Sequence, residues 1–347
     1  MTAITRRALA ALAVSTALAT PAFAPQALAQ SHKYTIGLSN GWVGSEWRTQ
    51  MVEEAQAAAA WKARGVDVEV VVQSKTEDVQ QQIADVKNFI NQGVSAIVVN
   101  PNSPTAFSPT FAQAKKAGIL VFAADGEVAS KDATFVGIDQ KEWASTSAEW
   151  LAKQLGGKGN IVTINGIAGH PANQARVAGY KATFAKYPGI KVLNEANGDW
   201  DEAKAQQVTK TLLATYPDLQ GVWTQDGQAS GVWRAMVDAK RTAIPTTGEL
   251  RASFVHDWQA NKWNSAVSIN PPGCMAAALN VAVLELEGNK LKAGALGGPN
   301  GNALYLPVPL VDNANLDETA KQLAGKPDYA FVTLTLSIDE IKSRFFQ

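Results

Sequence analysis

The stretch Gln92-Gly93-Val94-Ser95-Ala96-Ile97-Val98-Val99-Asn100-Pro101 decides the fold class. Its centre, Ala96–Val99, is a short continuous apolar run, which is typical of a strand buried on both faces of a parallel sheet. A helical pattern precedes it, and Gly93 is the residue type that often follows the last turn of a helix. The stretch therefore predicts a helix, a buried parallel strand and a polar loop in succession.

The same unit recurs along the chain. Apolar runs predict strands at Tyr34–Leu38, Val66–Val72, Ala96–Asn100, Leu120–Ala124, Phe135–Ile138, Asn160–Ile164, Lys191–Ala196, Gly221–Thr224, Thr246–Gly248 and Ala266–Ile269. Helical patterns lie between them at Glu77–Gln92, Pro104–Ala117, Trp143–Leu155, Ala172–Lys186 and Asp201–Thr215. This alternation indicates an α/β fold with parallel sheets of βαβ type. Because one series ends near Ile138 and another begins at Asn160, we expect two doubly wound, Rossmann-like lobes.

Residues 1–29 have the pattern of a secretory signal. Arg6-Arg7 precede an Ala-rich apolar run, and Ala27-Leu28-Ala29 is an A-x-A cleavage site. A membrane anchor is the alternative, for which the run is short. Thr5-Arg6-Arg7 partly resembles a twin-arginine signal, but the match is short and general secretory export is favoured. We expect cleavage after Ala29 and a soluble exported chain.

Charge and cysteine content exclude several classes of protein. The chain has 31 basic and 31 acidic residues, and Arg6 and Arg7 would leave with the signal, so the mature chain has a net charge near −2. A chain with this charge balance lacks the excess of positive charge that is typical of proteins that bind nucleic acids or membrane surfaces. Cys274 is the only cysteine, so no internal disulfide forms, and its apolar neighbours predict a buried core thiol.

Signals of catalysis are few. The chain has three histidines, His32, His170 and His256, and we expect the first and last to be solvated. The sequence contains no H-E-x-x-H, G-x-S-x-G, P-loop or G-x-G-x-x-G motif, and clustered metal ligands are absent. We expect no enzyme activity, no cofactor and no metal.

Polar and aromatic side chains follow the predicted strands where each one ends. In open α/β sheets, ligands bind outside the carboxyl ends of the strands. Carboxylates and amides bond hydroxyl groups, and indole faces cover the apolar faces of a sugar or polyol ring. Any one of these residues has an ordinary alternative role, as a core aromatic or a turn residue. The candidates are Asn40, Trp42, Trp47, Asn100, Asp125, Trp200, Asp226, Glu249 and Asn270.

From about Tyr34 to Asn302 the chain resembles the periplasmic binding proteins of the ribose-binding type, the sugar-capture subunits of ABC importers. The resemblance is carried by the opening stretch, by Trp200 before a helix, and by the segments Ala117-Gly118-Ile119-Leu120-Val121 leading to Asp125, Arg176-Val177-Ala178-Gly179-Tyr180 and Thr224-Gln225-Asp226. Each segment is ordinary alone, but the set is specific.

The resemblance implies a role for each site residue. It makes Trp47 the stacking aromatic after the first strand, with Trp42 as an additional candidate. The other implied ligand-binding residues are Asp125, Arg176, Trp200, Asp226, Glu249 and the hinge amide Asn270, with Asn100 less certain. Gly126 stands where the family often has Arg, and Arg48 replaces the second residue of an aromatic pair. Arg48 with Arg176 permits an acidic or phosphorylated ligand; a solvated helix position is the alternative for Arg48.

The resemblance also implies the domain organisation. It predicts a first lobe of residues 30–138 and 271–305, a second lobe of 139–270 and 306–347, and a three-segment hinge. The implied function is capture of a monosaccharide or polyol in the periplasm, by a monomer, for delivery to an ABC transporter permease in the inner membrane. Alternatives are a sugar acid or quorum-signal furanose on the same fold, or an exported carbohydrate-modifying enzyme using Asp125, Glu249 and Arg176. A lac-repressor-type regulator would need a helix-turn-helix at the N-terminus, where this chain has an export signal.

Overall fold

The computed structural model describes residues 33–57, 59–75 and 78–347. The predicted signal, its cleavage site and His32 lie outside the described residues. In the described part of the chain, no helix combines the length and the apolarity that crossing a membrane requires.

The elements alternate through most of the chain, as the sequence predicts. The strands are β1 (Lys33–Asn40), β2 (Asp67–Ser74), β3 (Ala96–Asn100), β4 (Leu120–Ala124), β5 (Thr134–Ile138), β6 (Lys158–Asn165), β7 (Gly189–Asn197), β8 (Gly221–Thr224), β9 (Ala266–Ser268), β10 (Ala303–Leu306) and β11 (Leu310–Asp312). The helices are α1 (Glu46–Gln56), α2 (Ala59–Lys62), α3 (Val79–Gln92), α4 (Ser108–Lys116), α5 (Gln140–Gln154), α6 (Pro171–Phe184), α7 (Glu202–Thr215), α8 (Ala229–Asp238), α9 (Ala252–Asn261), α10 (Cys274–Leu286), α11 (Leu316–Lys321) and α12 (Ile338–Phe345).

The opening stretch behaves as its residue types dictate. Asp78 caps the start of α3, where its carboxylate accepts the Gln81 N–H. Gly93 ends the helix in the left-handed region at φ 68°, which glycine adopts without a steric penalty. All five residues of β3 are buried, so the strand lies inside a sheet that is covered on both faces.

Two parallel sheets organise the described chain. The first has six strands in the order β10-β5-β4-β3-β1-β2, and the second has three in the order β7-β6-β8. An antiparallel pair, β11 with β9, is separate. The predicted strand Thr246–Gly248 is wrong as a regular strand: Thr246 forms an isolated parallel bridge with Val222. The segment also donates backbone hydrogen bonds to Asn264 and Ala266, but Pro245 before it and Gly248 at its end are residue types that disfavour strand interiors, and no ladder forms.

The chain passes between the first sheet, with its covering helix α10, and the elements outside it at β5 to α5, β9 to α10, and β10 to β11. The predicted lobe boundaries stay a prediction. The pairing of β10 with β5 agrees with the predicted boundaries. The prediction assigns residues 306–347 to the second lobe, but α12 packs against α10, the helix that covers the first sheet. Cys274 is buried and free, at the start of α10.

Candidate functional site

A cavity lies at the carboxyl ends of the strands, between the two sheets. It is lined by Trp42, Ser45, Trp47, Arg48, Asp125, Ala172, Arg176, Trp200, Asp226, Gly227 and Asn270. The space between the atoms, including the mouth, is about 400 Å³, which is within the range of sites for small ligands.

The start of α1 supplies one wall. Ser45 caps this helix and accepts the Arg48 N–H at 3.4 Å, which brings Trp47 and Arg48 into its first turn. Trp47 is 8% exposed and donates its indole N–H to the Asn270 carbonyl at 2.9 Å. The Arg48 guanidinium lies 5.3 Å from the Trp42 ring centroid. The solvated position considered for Arg48 is excluded, because the side chain is 3% exposed.

Asp125 follows β4 and is held from several directions. Its φ of 62° is left-handed, a conformation that costs an aspartate about 1–3 kcal/mol and is often retained at functional sites. The carboxylate accepts hydrogen bonds from Gln140 at 3.2 Å, Asn100 at 3.3 Å and Asn270 at 3.5 Å. Because these amides come from different elements, Asp125 is fixed relative to both sheets.

Arg176 is the most enclosed charge in the cavity wall. It is 2% exposed, and its guanidinium lies 3.9 Å from the Trp143 ring centroid. Nε donates to Gln140 Oε1 at 2.7 Å, and Nη1 donates to Asp226 Oδ1 at 2.6 Å. Burial raises the pKa of Asp226, although Arg176 beside it acts in the opposite direction. Nη2 has no hydrogen-bond acceptor among the described residues, which leaves it for a ligand.

Trp200 is positioned by its own backbone and by two glutamines. Asp199 and Trp200 both adopt left-handed φ values, 57° and 56°. The Trp200 backbone N–H donates to Gln228 at 2.8 Å, and its indole N–H donates to Gln225 Oε1 at 2.9 Å. These contacts fix the indole in the cavity wall before any ligand binds.

Two glycines allow indole rings to lie against the backbone. A Cβ built on Gly166 would stand 2.1 Å from the Trp200 ring, and one built on Gly44 would stand 2.2 Å from the Trp42 ring. Real Cβ atoms do not approach so closely, so any other residue at either position would displace the indole.

His170 joins the two sides of the cavity from behind its wall. It caps α6, where Nδ1 accepts the Ala172 N–H at 3.2 Å, and its Nε2 lies 3.1 Å from Arg48 Nη2. Both ring nitrogens face N–H groups, so the one acceptor nitrogen of a neutral imidazole can serve only one of them, and a second ring proton would leave no acceptor at all. Burial, with Arg48 and Arg176 nearby, lowers the pKa of His170 well below its usual value.

The stability of the protein should fall in acid because of His170. The unfolded chain takes up a proton near pH 6.5, whereas the folded chain resists it, so stability is lost as pH falls below about 6.5, by up to ~1.4 kcal/mol per pH unit. Asn at position 170 retains a helix cap without titrating. Urea unfolding at pH 7.5 and 5.5 should therefore show a smaller acid loss for His170→Asn than for the wild type. Carboxyl groups with a raised pKa, such as those of Asp226 and Glu249, make the folded state more stable in acid. Both proteins contain them, so they do not affect the comparison. Equal losses would exclude this role.

The charges that line the cavity are balanced. Arg48 Nη2 lies 3.7 Å from the Asp125 carboxylate, and Arg176 pairs with Asp226. Each buried guanidinium thus has its own carboxylate, and the lowered pKa of His170 disfavours a further positive charge beside them. The cavity offers donors and acceptors in directions set by the fold, with no uncompensated charge among its described lining residues.

The structure brings most of the predicted site residues together. Those lining the cavity are Trp42, Trp47, Asp125, Arg176, Trp200, Asp226 and Asn270. Asn40 and Asn100 lie behind them: Asn40 accepts from Arg48 at 3.1 Å, and Asn100 donates to Asp125. Glu249 is outside the lining. Its carboxylate accepts from Ser230 and lies 3.3 Å from the Arg251 guanidinium, and burial raises its pKa.

Several residues that shape the site are not among the sequence candidates. Ser45, Ala172 and Gly227 line the cavity, and Gln140 and Gln225 hold its charged groups. Ser45, Gln225 and Gly227 stand in the segments that follow strands, so their position along the chain is a signal for them. Gln140 has no such local signal, since it is simply the first residue of a helix.

A family model described as a periplasmic binding protein domain matches residues 36–290. The chain belongs to this family. Its α/β fold with two parallel sheets is shared with a solved structure of an ABC transporter solute binding protein from Thermobispora bispora. That structure has a TM-score of 0.77 and 26% sequence identity, over 89% of this chain and 94% of the other. The predicted fold class and family resemblance are thereby confirmed.

Two binding proteins are among the curated relatives. The xylitol-binding protein of Mycolicibacterium smegmatis is 32% identical over 203 residues, and the D-apiose import binding protein of Paraburkholderia graminis is 27% identical over 253 residues. The alignments cover 58% and 71% of this chain. They cover 58% of the first relative's length and 78% of the second's. The chain therefore matches less than two thirds of the xylitol-binding protein.

Proposed function

We propose that this protein captures a neutral monosaccharide or polyol in the cavity between its two sheets and delivers it to an ABC transporter permease. The observation that carries this proposal is the lining itself. Indoles from both sides, Trp42 and Trp47 on one and Trp200 on the other, surround two ion pairs and a hinge amide. Flat apolar walls with a few convergent polar groups fit a small polyhydroxylated molecule.

The charge balance favours a neutral ligand over a sugar acid. Arg48 and Arg176 are each paired with a carboxylate, so an anionic ligand would add an unpaired charge to a buried site, which is unfavourable. A hydroxyl group can both donate and accept a hydrogen bond, which suits the cavity atoms that have no partner in the described chain. The Asn270 Oδ1 is a buried acceptor without a donor in the described chain, and Arg176 Nη2 is a donor.

The names of the relatives support this ligand class. One is a xylitol-binding protein, which binds a neutral polyol, and another is a D-apiose import binding protein. The family is described as a periplasmic binding protein domain, and residues 1–29 have an export pattern. We propose that the protein works in the periplasm as a monomer, and that it carries out no covalent chemistry.

Binding would act by stabilising the closed arrangement. The cavity draws on both sheets, so a bound molecule contacts both only when they have approached each other. A ligand shifts the equilibrium toward closure to the extent that it binds the closed state more tightly than the open one. The permease would then recognise the closed state.

A thermal-shift screen tests the proposal. A ligand at ~100 times its dissociation constant adds about 2.7 kcal/mol to the stability of the folded state, which means a rise of roughly 5–10 °C in melting temperature for a chain of this size. We expect such a rise with at least one neutral sugar or polyol. The same screen includes sugar acids and a quorum-signal furanose. A response to acids alone would refute the neutral class, and no response across the whole panel would refute sugar capture. Chemical alteration of a ligand during incubation would favour the enzyme alternative.

A further inference from the structure

We infer that Gln140, which does not line the cavity, is a positioning residue that couples the recognition groups of the two sheets. This inference rests on the proposed function and deepens it. Gln140 is the first residue of α5, directly after Asp139, the cap of that helix, and the end of β5. It therefore lies where the chain first leaves the first sheet for the second. A change in the relative position of the two sheets would alter the backbone at this point.

The contacts of Gln140 reach both sides at once. Its Nε2 donates to the Asp125 carbonyl at 3.1 Å and to the Asp125 carboxylate at 3.2 Å. Its Oε1 accepts from Arg176 Nε at 2.7 Å. Asp125 follows β4 of the first sheet, and Arg176 lies on α6 beside the second. One side chain, 3% exposed, thus links the carboxylate and the guanidinium that we expect to bind hydroxyl groups.

Only an amide of this length can make both contacts. Asp125 needs a donor and Arg176 needs an acceptor, and the amide presents one of each on a single planar group. A glutamate would keep the acceptor for Arg176 but place a carboxylate oxygen against Asp125. A methionine would have a similar length but no comparable donor or acceptor. The pairing of Asp125 and Arg176 with one amide therefore depends on glutamine.

The consequence for binding is preorganisation. Asp125 is held in a left-handed backbone conformation. Gln140 donates hydrogen bonds to both the backbone carbonyl and the carboxylate of Asp125. Arg176 has Nε engaged by Gln140 and Nη1 by Asp226, so Nη2 is aimed in a fixed direction. When both groups are fixed before the ligand arrives, less freedom is lost on binding. Loss of Gln140 should therefore weaken binding although no direct ligand contact is removed.

The test compares Gln140→Glu with the wild type over a range of pH. The probe is the neutral sugar or polyol that gives the wild type its largest thermal shift, and affinity is measured by calorimetry from pH 8 to pH 5. At pH 8 we expect binding at least tenfold weaker, the scale of losing a hydrogen bond to a charged group. As pH falls, one proton should bind between the introduced carboxylate and the Asp125 carboxylate. Once protonated, the introduced side chain can again donate a hydrogen bond to Asp125. The difference from the wild type should therefore narrow toward pH 5.

The charged groups around the new carboxyl set the direction of this effect. The negative charges of Asp125 and Asp139 disfavour ionisation of the new carboxyl, and the positive charge of Arg176 favours it. Arg48 offsets part of the effect of Asp125, and Asp226 offsets part of the effect of Arg176, because each pair is in contact. The wild type shares all of these except the new carboxyl, so the ratio of the two affinities isolates it. Gln154→Glu is the matched control, since Gln154 is exposed at the other end of the same helix. We expect this control to bind like the wild type at every pH.

The possible outcomes separate the inference from the proposed function. If the wild type binds nothing in the panel, the proposed function fails and the inference falls with it. If the wild type binds but Gln140→Glu matches it at pH 8, or is weakened equally at all pH values, the positioning role alone is overturned. If Gln140→Glu does not fold, Gln140→Met replaces it. Weaker binding by a protein with an unchanged unliganded melting temperature supports the inference, and unchanged affinity with a lower melting temperature overturns it.

Discussion

Replacement of Arg176 by methionine is expected to lower the free energy of unfolding by about 3–5 kcal/mol, the scale for removing one partner of a buried ion pair. Arg176 is 2% exposed and pairs with Asp226, itself 13% exposed, at 2.6 Å. Without the guanidinium, the Asp226 carboxylate remains in a largely buried place with no cation beside it. The stacking of Arg176 on Trp143 is lost as well.

The size of this effect can be separated from ordinary side-chain loss. Adding Asp226→Asn to Arg176→Met removes the stranded carboxylate, so the double variant should recover part of the lost stability. Arg234→Met is the matched control, because Arg234 and Glu202 are also 2.6 Å apart but Arg234 is 50% exposed. A surface pair contributes about 0–1 kcal/mol. Urea unfolding of the four proteins measures all of these, and equal losses for Arg176→Met and Arg234→Met would contradict the buried-pair account.

The conservative substitution Arg176→Lys examines ligand binding by the same side chain. Lysine keeps the positive charge but has no planar fork, so it cannot serve Gln140, Asp226 and a ligand in three fixed directions. We expect the unliganded protein to remain folded and binding to weaken tenfold or more. Calorimetry with the ligand found by thermal shift measures the difference, and near-unchanged affinity would limit Arg176 to a role in stability.

The sequence predicts the strands best where an apolar run is continuous and bounded by polar residues. β3, β4 and β8 have the predicted bounds to the residue. β7 is longer at both ends than predicted, because pairing with β6 extends it to Gly189 and Asn197. The segment Thr246–Gly248 was predicted as a strand from local composition alone, whereas strand formation depends on partners that local composition does not reveal.

Much of the site was predictable because position along a strand determines position in space. Trp47, Asp125 and Asp226 follow strands, and the carboxyl ends of parallel strands share one edge of the sheet. Arg176, which lies on α6, was predicted only through the family resemblance. The contact between Arg48 and His170 joins residues that are 122 positions apart, and no local pattern signals it. Glu249 shows the limit of the rule: no strand precedes it, and its carboxylate lies with Arg251 outside the cavity lining.

Trp47 and Trp200 are expected to respond differently to replacement by alanine. Trp47 is 8% exposed and belongs to the main hydrophobic core, so Trp47→Ala should cost about 3–5 kcal/mol of stability by opening a cavity. Trp200 is only partly buried, and its indole lies in the cavity wall. Trp200→Ala should cost ~2 kcal/mol or more of binding free energy, with a smaller loss of folding stability.

Melting temperature, dissociation constant and indole fluorescence, measured on the same variants, separate these roles. Trp61→Ala is the control: Trp61 is 4% exposed and donates its indole N–H to Asn280 at 2.7 Å, but it does not line the cavity. It should lose stability and keep its affinity. If Trp47 both supports the core and contacts the ligand, Trp47→Ala should lose stability as Trp61→Ala does and affinity as Trp200→Ala does. The fluorescence change on binding, which ten tryptophans share, should shrink in both cavity variants. Full affinity in a destabilised Trp47→Ala protein would reduce Trp47 to a core residue, and full affinity in Trp200→Ala would remove the stacking role from the second sheet.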